Sequence, residues 1–354
     1  MLVKKTVEEA YSHWMEGDGP EAGIAISCRV RIARNLDRMP FPHQLNKDKA
    51  EEVLQIVEKA LSEREADGQK DYLEMSKLID LSPIERQILV DKHLISPDLL
   101  NDFECKAVVL REDEVISIMV NEEDHLRIQC LLSGLQLQEA WQLINQVDDS
   151  LEKNLDYAFS ERLGYLTACP TNVGTGLRAS VMLHLPALAL IKQLKEVLNA
   201  IGKVGLTARG HFGEGTDALG DMFQISNQIT LGQVEEEIIS NLMAVVNQII
   251  SQEKAARTAL LSDQRYIVED RVYRAYGILK NAHILNSEEA MRLFSDLRLG
   301  VEMGLLTGIP AILLNELMVR IRPAFLTKLA GRGMTSLQRD IFRAELIRKE
   351  FKSL

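Results

Sequence analysis

One segment near the N-terminus alternates apolar and polar side chains, and it constrains the fold more than any other part of the chain. The sequence IAISCRVRIAR occupies residues 24 to 34. Successive side chains of a strand point to opposite faces of a sheet, so this alternation predicts a half-buried strand. Its apolar face holds Ile24, Ile26, Cys28, Val30 and Ile32, and its polar face holds Ser27, Arg29 and Arg31.

The segments up to residue 233 mix helical and extended patterns. Helical spacing is found in residues 47–66, 82–93, 135–159 and 183–200, and extended patterns in 106–110, 115–120, 165–169, 205–209 and 222–227. Strands separated only by turns recur, as in the two runs around the acidic turn RED. The sequence therefore predicts an α+β fold with a largely antiparallel sheet flanked by helices, not a doubly wound parallel one.

After residue 233 the sequence has helical spacing only. The helical segments are 234–261, 269–281, 287–299, 312–319 and 336–351. We predict a first domain over residues 1–261 and a helical C-terminal domain over 262–354. A helical domain of this size folds alone or completes its core by pairing with a copy of itself.

Composition excludes several classes of protein. The 41 Lys and Arg against 52 Asp and Glu give a formal net charge of -11, which argues against direct nucleic-acid binding and favours a cationic partner. No apolar segment has the length of a membrane span or a secretion signal, so we expect a cytoplasmic protein. The cysteines lie far apart, which argues against disulfides and, with no histidine pair, against a metal site. They are Cys28, Cys105, Cys130 and Cys169.

Two polar clusters could bind charged groups. Arg29 and Arg31 share one strand face, where they could hold adjacent phosphates, although a solvated sheet face is the commoner meaning of this pattern alone. The run NEEDHLR at residues 121–127 places three acids after an apolar strand. Such a run forms a solvent turn or a cation site, and His125 and Arg127 in the same loop favour a site.

Two glycine-containing segments complete the set. In CPTNVGTGLRAS, residues 169–180, Gly174 and Gly176 could turn backbone amides toward an anion beside Arg178. Cys169 stands at its start, although a lone cysteine is more often a small core residue. The glycine-rich segment 209–220 is typical of a mobile lid and contains the carboxylate of Glu214.

Several enzyme classes are excluded by missing motifs. The chain has no P-loop and neither the H-R-D nor the D-F-G motif of ordinary protein kinases. The spacing from Cys169 to Arg178 is too long for a cysteine phosphatase.

Together and in this order, the four segments resemble the motifs of the phosphagen (guanidino) kinase family over roughly residues 23–255. The resemblance implies ATP and Mg²⁺ as cofactors, with Glu123 and Glu214 gripping the acceptor guanidinium and Cys169 beside it. It also implies His93 near the adenine and phosphate-binding Arg29, Arg31, Arg127, Arg178 and Arg209. The remaining implied nucleotide-binding residues are Ser27, Cys28, Val30, Ala179, Ser180, Val181, Met182, Gly210, His211, Phe212 and Gly213, together with Glu214 itself.

The chemistry of the acceptor agrees with this resemblance. A guanidinium is a poor nucleophile because its lone pairs are delocalised, so it needs carboxylates that orient it and take its proton. The phosphoryl group in transit carries negative charge, which arginines and Mg²⁺ stabilise.

Two departures point to one branch of the family. The helical domain that precedes the RVR strand in creatine and arginine kinases is missing, which favours an arginine displayed on a polypeptide. The C-terminal helical region is an addition. Both features resemble the bacterial protein-arginine kinases, and residues 339–344 match their R-D-x-x-R-A phosphoarginine pocket. The matching residues are Arg339, Asp340, Arg343 and Ala344.

The resemblance implies phosphorylation of arginines in cytoplasmic proteins, which marks them for a Clp ATPase-protease and inactivates a heat-shock repressor. It also implies a zinc-binding activator protein and a homodimer. Two alternatives remain open. A kinase of a small free guanidino compound is disfavoured by the missing domain, and a phosphoarginine-binding adaptor would need a lost carboxylate or arginine.

Overall fold

The computed structural model describes residues 2–66, 72–210 and 218–352. The strands are β1 (Ala25–Arg34), β2 (Leu73–Lys77), β3 (Ala107–Arg111), β4 (Ile116–Val120), β5 (Leu126–Ser133), β6 (Phe159–Ser160), β7 (Gly164–Tyr165), β8 (Leu177–His184), β9 (Leu206–Gly210) and β10 (Met222–Asn227). The helices are α1 (Leu2–Glu8), α2 (Lys47–Ala66), α3 (Pro83–Asp91), α4 (Leu137–Glu152), α5 (Pro186–Leu190), α6 (Leu194–Gly202), α7 (Glu235–Asp263), α8 (Arg265–Asn281), α9 (Ser287–Glu302), α10 (Ala311–Arg320), α11 (Pro323–Ala330) and α12 (Ser336–Lys352).

The described residues contain one large sheet with the strand order β2-β3-β4-β5-β1-β8-β10-β9. Every neighbouring pair in it is antiparallel, so the predicted α+β fold is confirmed. The strand with the alternating pattern, β1, lies between β5 and β8. There Arg31 pairs with Gln129 on one side and with Arg178 on the other.

The alternation of β1 divides the sheet into an apolar face and a polar face. Cys28, Val30 and Ile32 join a buried cluster with side chains of α2, α4 and α7. Arg29 and Arg31 lie on the opposite face and are only half buried. The apolar face supplies the main core, and the polar face remains available for a site.

A second apolar cluster covers the periphery of the polar face. It joins Leu131 of the sheet to side chains from α1, α3 and the C-terminal helices, including Leu317 and Phe351. Ile26 also belongs to this cluster and not to the apolar face as predicted, because the register of β1 shifts between Ala25 and Ser27. The helices after residue 265 therefore pack beside the polar face and form part of its surroundings. No helix in the described ranges is both long and apolar enough to cross a membrane.

The sequence prediction missed β5 and β8, the two neighbours of β1. Residues 183–200, predicted as one helix, instead contain the end of β8 followed by α5 and α6. The predicted helix over 135–159 ends at Glu152, and the predicted strand over 165–169 is limited to Gly164–Tyr165. Leu131 and Met182 interrupt the polar faces of β5 and β8, which hides their alternation.

Candidate active site

Five arginines from four strands meet at one cavity on the polar face. Because β1, β5, β8 and β9 belong to one sheet, side chains of the same pleat phase point to the same side. The cavity has a volume of about 520 Å³, and its lining includes Arg29, Arg31, Arg127, Arg178 and Arg209. The structure therefore brings together all five arginines that the sequence singled out.

The arginines of this cavity have unused hydrogen-bond donors. The Nε atoms of Arg29, Arg31 and Arg178 are buried, and no acceptor pairs with them among the described residues. Burial lowers the pKa of Arg29 to about 10, and the nearby charges of Arg127 and Arg178 add to this effect. Buried like charges without acceptors disfavour the folded state unless an anion joins them. This arrangement fits the triphosphate of ATP.

The three acids of the loop between β4 and β5 have different roles. The Arg127 Nη1 atom lies 2.5 Å from Glu122 Oε2 and 3.9 Å from Glu123 Oε2. The Glu122 side chain is 2% exposed and also accepts a hydrogen bond from Ser96, whereas the Glu123 side chain is 43% exposed. Burial raises the pKa of Glu123, and Arg127 partly opposes this increase. Glu123 is thus the acid of this loop placed to meet an acceptor.

The third acid, Asp124, connects the loop of Glu123 to the loop of Cys169. Its Oδ1 atom accepts hydrogen bonds from the Ala168 N–H at 2.7 Å and from Asn35 Nδ2 at 2.6 Å. The Cys169 thiol lies 3.0 Å from Thr171 Oγ1. It is also near enough to the Glu123 carboxylate to lower the pKa of that group, in opposition to the effect of burial. The structure therefore places Cys169 near Glu123.

The glycines after Cys169 allow close packing more than anion binding. Gly174 and Gly176 have φ angles of 113° and 68°, and a Cβ on Gly176 would stand 2.6 Å from the Ala33 carbonyl oxygen. The Gly174 N–H donates to the Tyr165 carbonyl, so this amide does not face an anion as predicted. Glycine is needed here because the loop crosses the end of β1.

His93 also belongs to the lining of the arginine-lined cavity. Its φ angle is 64°, and its ring centroid is 5.6 Å from that of Trp14. Burial lowers the pKa of His93 to about 3, so the imidazole is neutral at physiological pH.

The other residues implied for the nucleotide divide between the two faces. Ser27, Ser180 and Met182 lie on the polar face with the arginines. Fully buried side chains on the apolar face belong to Cys28, Val30, Ala179 and Val181, so these residues can offer a nucleotide only backbone groups. Gly210 ends β9. The predicted residues His211, Phe212, Gly213 and Glu214 lie outside the described residues.

Sequence reasoning missed several polar neighbours of the site. Gln224 of β10 accepts a hydrogen bond from Arg29 Nη2 at 3.3 Å, and Gln129 of β5 lines the same cavity. Asn35 holds the acidic loop by accepting from the His125 N–H. The alternation of β10 was the available signal for Gln224, whereas Leu131 hides the alternation of β5 that would have indicated Gln129.

The residues of the predicted phosphoarginine pocket lie on α12 and differ in accessibility. Arg343 is 2% exposed and donates to the carbonyls of Ile321 and Leu285 and to Asp340 Oδ1. Ala344 is fully buried, whereas Arg339 and Asp340 are half buried. A ligand at this place would reach Arg339 and Asp340, with Arg343 holding the helix in position.

Sequence similarity to known proteins extends along the whole chain. Residues 52–256 match the family described as ATP:guanido phosphotransferase, C-terminal catalytic domain, and residues 265–354 match the Protein-arginine kinase McsB C-terminal domain. The Protein-arginine kinase of Pelotomaculum thermopropionicum is 69% identical, over 100% of this chain and 99% of that protein. The chain belongs to the protein-arginine kinase family.

A second member of the family, from Desulforamulus reducens, is 57% identical over 100% of this chain and 99% of its own length. Among solved structures, Lombricine Kinase shares the fold with a TM-score of 0.60 and 24% identity, covering 69% of this chain and 70% of that one. The duplicated taurocyamine kinase from Schistosoma mansoni, solved with transition state analog components, matches with a TM-score of 0.60 and 27% identity. That match covers 67% of this chain and 34% of the taurocyamine kinase.

Membership confirms the resemblance seen in the motifs and makes this chain a kinase of the ATP:guanido phosphotransferase class. The β1 strand with Arg29 and Arg31 precedes residue 52, where the catalytic-domain match begins. Its role in the site therefore rests on the geometry of the cavity.

Proposed function

We propose that this kinase transfers the γ-phosphoryl group of ATP to the guanidino group of arginine side chains in proteins. One observation carries the proposal. Glu122 lines both the arginine-lined cavity and a second, open cavity of about 1390 Å³, and Glu123, which lies 3.9 Å from Arg127, lines the second cavity beside it. A donor in the first cavity and an acceptor entering from the second would meet beside these two acids, of which Glu123 is the exposed one.

The size and lining of the second cavity favour a polypeptide acceptor. It is larger than the few hundred to about 1,000 Å³ typical of small-molecule pockets. Its walls come from the start of α2, the segment 100–106 and the acidic loop. Most of these groups are polar, so an extended chain with its own backbone donors and acceptors would find partners there.

Glu123 performs the acid-base step in this proposal. It accepts a hydrogen bond from the guanidinium, orients one nitrogen toward the γ-phosphorus and takes its proton as the N–P bond forms. The β–γ bridging P–O bond breaks, and ADP leaves with its electron pair. Glu214 supplies the second carboxylate of this clamp, as the family resemblance implied.

Cys169 assists without forming a bond to phosphorus. Its sulfur is near enough to the Glu123 carboxylate to lower the pKa of that group, so it would stand beside a guanidinium bound by Glu123. Thr171, 3.0 Å from the sulfur, fixes its orientation. A polarisable sulfur beside a cation stabilises the acceptor in the attacking position.

The five arginines bind the triphosphate and stabilise the charge on the transferred group. Bound Mg²⁺ would neutralise β- and γ-phosphate oxygens. No group of three or more His, Cys, Asp or Glu side chains suited to a metal occurs among the described residues. We therefore propose that phosphates and water supply most of the Mg²⁺ ligands, as is usual for this ion.

The family resemblance also supports a proposal for the cellular role. Phosphorylated proteins would be marked for a Clp ATPase-protease, and a heat-shock repressor would be inactivated in the cytoplasm. A zinc-binding activator protein would assist a homodimeric kinase. Phosphoarginine would bind at Arg339, Asp340, Arg343 and Ala344.

Mass spectrometry after incubation with Mg-ATP tests the proposed activity. A basic protein and free arginine are offered together, with Glu123→Gln as the matched inactive control. Acid-labile phosphate on arginine residues of the protein is the expected product. Phosphorylation of free arginine alone would instead indicate a small-molecule kinase, and no transfer by the wild type would leave only a phosphoarginine-binding adaptor.

A further inference from the structure

The C-terminal helices contribute a side chain to the wall of the nucleotide cavity. Arg322, between α10 and α11, lines the cavity together with Arg29 and Arg31. Asp91, the last residue of α3, lines it too. Arg322 lies within the C-terminal match, outside the residues that match the ATP:guanido phosphotransferase domain.

The register of β1 shows which end of the nucleotide this wall faces. Arg127, beside Glu123, pairs with Ala33, whereas Ser27 pairs with Met182 at the other end. Ser27 is six residues from Ala33, or about 20 Å along a strand. The γ-phosphate must lie at the Glu123 end, so the ribose and base lie toward Ser27.

A small apolar pocket lies at this distal end. Its volume is about 30 Å³, and its lining includes Trp14, Met182 and Met318 beside Ser27, His93 and Asp91. This volume is far below the few hundred Å³ of a complete ligand pocket, so the small apolar pocket can take only the edge of a flat heterocycle whose remainder lies in the arginine-lined cavity. Asp91 lines both the arginine-lined cavity and this small apolar pocket.

Asp91 is placed unfavourably for the stability of the free protein. Its Oδ2 atom is buried without a hydrogen-bond partner in the described part of the chain, and its Oδ1 atom accepts only a long bond of 3.3 Å from Gln87. A carboxylate at the C-terminal end of a helix is also repelled by the helix dipole. Burial raises the pKa of Asp91 to about 6, and the charge of Arg322 opposes this increase.

The position of Arg322 is unfavourable for the opposite charge. It occupies the N-cap position of α11, where the helix dipole disfavours a cation. Burial lowers its pKa, and the neighbouring Asp91 opposes the decrease. The opposite charges of Asp91 and Arg322 therefore compensate for the two unfavourable helix dipoles. Together they keep a carboxylate beside the small apolar pocket.

We propose that Asp91, on the cavity wall that Arg322 also lines, accepts a hydrogen bond from the ribose–base end of ATP. The donor is a ribose hydroxyl or the 6-amino group of adenine, since both are neutral donors at that end. A small rotation about the terminal Asp bond presents either oxygen. This subsite rests on the proposed use of the arginine-lined cavity by ATP, and it gives a role to a carboxylate with an unpartnered buried oxygen in the wall of that cavity.

Calorimetric binding to the full-length protein tests the subsite with four probes: ATP, 2′,3′-dideoxy-ATP, which lacks both ribose hydroxyls, purine riboside triphosphate, which lacks the 6-amino group, and tripolyphosphate. Asp91→Ala should weaken ATP at least tenfold and leave tripolyphosphate unchanged. Asp98→Ala, an exposed acid on the same cavity, is the control and should change nothing. If Asp91→Ala does not fold, Asp91→Ala/Arg322→Leu removes both charges together.

The analogues identify the donor. The analogue that lacks it should bind the wild type as weakly as ATP binds the variant. Equal binding of all three nucleotides to the wild type, or equal weakening of ATP and tripolyphosphate in the variant, would overturn the subsite. Arginine phosphorylation by the wild type is measured in parallel, so failure of the kinase proposal is seen separately from failure of the subsite.

Discussion

Asp124 accepts a hydrogen bond from the backbone N–H of Ala168 at 2.7 Å. This contact joins two loops that are distant in sequence. One of them carries Glu123 and the other carries Cys169. The distance between the proposed base and the thiol therefore depends on a side chain that touches neither ATP nor the acceptor.

Asp124→Ala should lower both stability and turnover. The change leaves the Ala168 N–H without an acceptor, at a cost of about 1–3 kcal/mol, and leaves Asn35 Nδ2 with the Leu166 carbonyl as its remaining acceptor. Urea unfolding and steady-state kinetics measure the two effects. The exposed Asp37→Ala is the control. A stable variant with unchanged kcat would show that this contact does not position the site.

Glu123→Gln should reduce turnover by about 10²- to 10⁴-fold with little change in ATP binding, because proton removal and acceptor orientation are lost together. Burial raises the pKa of Glu123 above its ordinary value. The loss of wild-type activity at low pH should therefore begin at a higher pH than for an ordinary glutamate. Activity should rise with pH through that value, since the base acts deprotonated. Glu112→Gln, at an exposed acid, is the control; near wild-type turnover in Glu123→Gln would contradict the assignment.

Alkylation should inactivate the kinase through Cys169. Cys28 and Cys130 are fully buried, and burial raises the pKa of Cys28 to about 12, so neither should react in the folded protein. A Cys105→Ser background removes the other partly exposed thiol. Peptide mapping should then find one adduct, matched by loss of activity. Full activity after stoichiometric modification would remove Cys169 from the site, and a trapped phosphocysteine would contradict its noncovalent role.

His184 should make stability depend on pH. Burial holds its pKa well below the ordinary value of 6.5, so the folded protein binds fewer protons than the unfolded chain. Its contribution is complete above pH 6.5 and is lost as the pH falls, by about 1.4 kcal/mol between pH 7.5 and 5.5. Urea unfolding of His184→Gln should show a pH dependence reduced by this amount. Exposed His43→Gln should keep the wild-type slope; an equal slope in both variants would refute the prediction.

Phosphoarginine binding to α12 should depend on Arg339 and Asp340. Arg339→Ala/Asp340→Ala should abolish binding of free phosphoarginine, measured by calorimetry, because the accessible cation and carboxylate are removed. Arg343→Ala should instead unfold more easily, since Arg343 satisfies two buried carbonyl groups. Exposed Arg332→Ala is the control. Undiminished binding in the double variant would place the ligand elsewhere.

The sequence predicted those parts of the site that depend on local pattern. Alternation placed Arg29 and Arg31 on one face, and contiguous motifs identified Glu123 and Cys169. The separate roles of Glu122 and Asp124 were not predictable, because they depend on Arg127 and Ala168 in the folded chain.

The strand errors have a related cause. β5 and β8 each begin inside a motif whose polar and glycine residues are typical of a loop. Their positions beside β1 follow from pairing between distant segments. Periodicity within one segment contains no information about its partners. Arg322 reaches the arginine-lined cavity because the last helices pack against α3. No local sequence pattern indicates that packing.

The apolar cluster that contains both the first and the last helix affects how the protein folds during synthesis. Val3 and Val7 of α1 share this cluster with Ile347 and Phe351 of α12. Because synthesis proceeds from the N-terminus, α1 can pack against α3 early, but the helices from α8 onward join this cluster much later. Until α12 has been made, the nascent kinase exposes apolar surface that the folded protein buries.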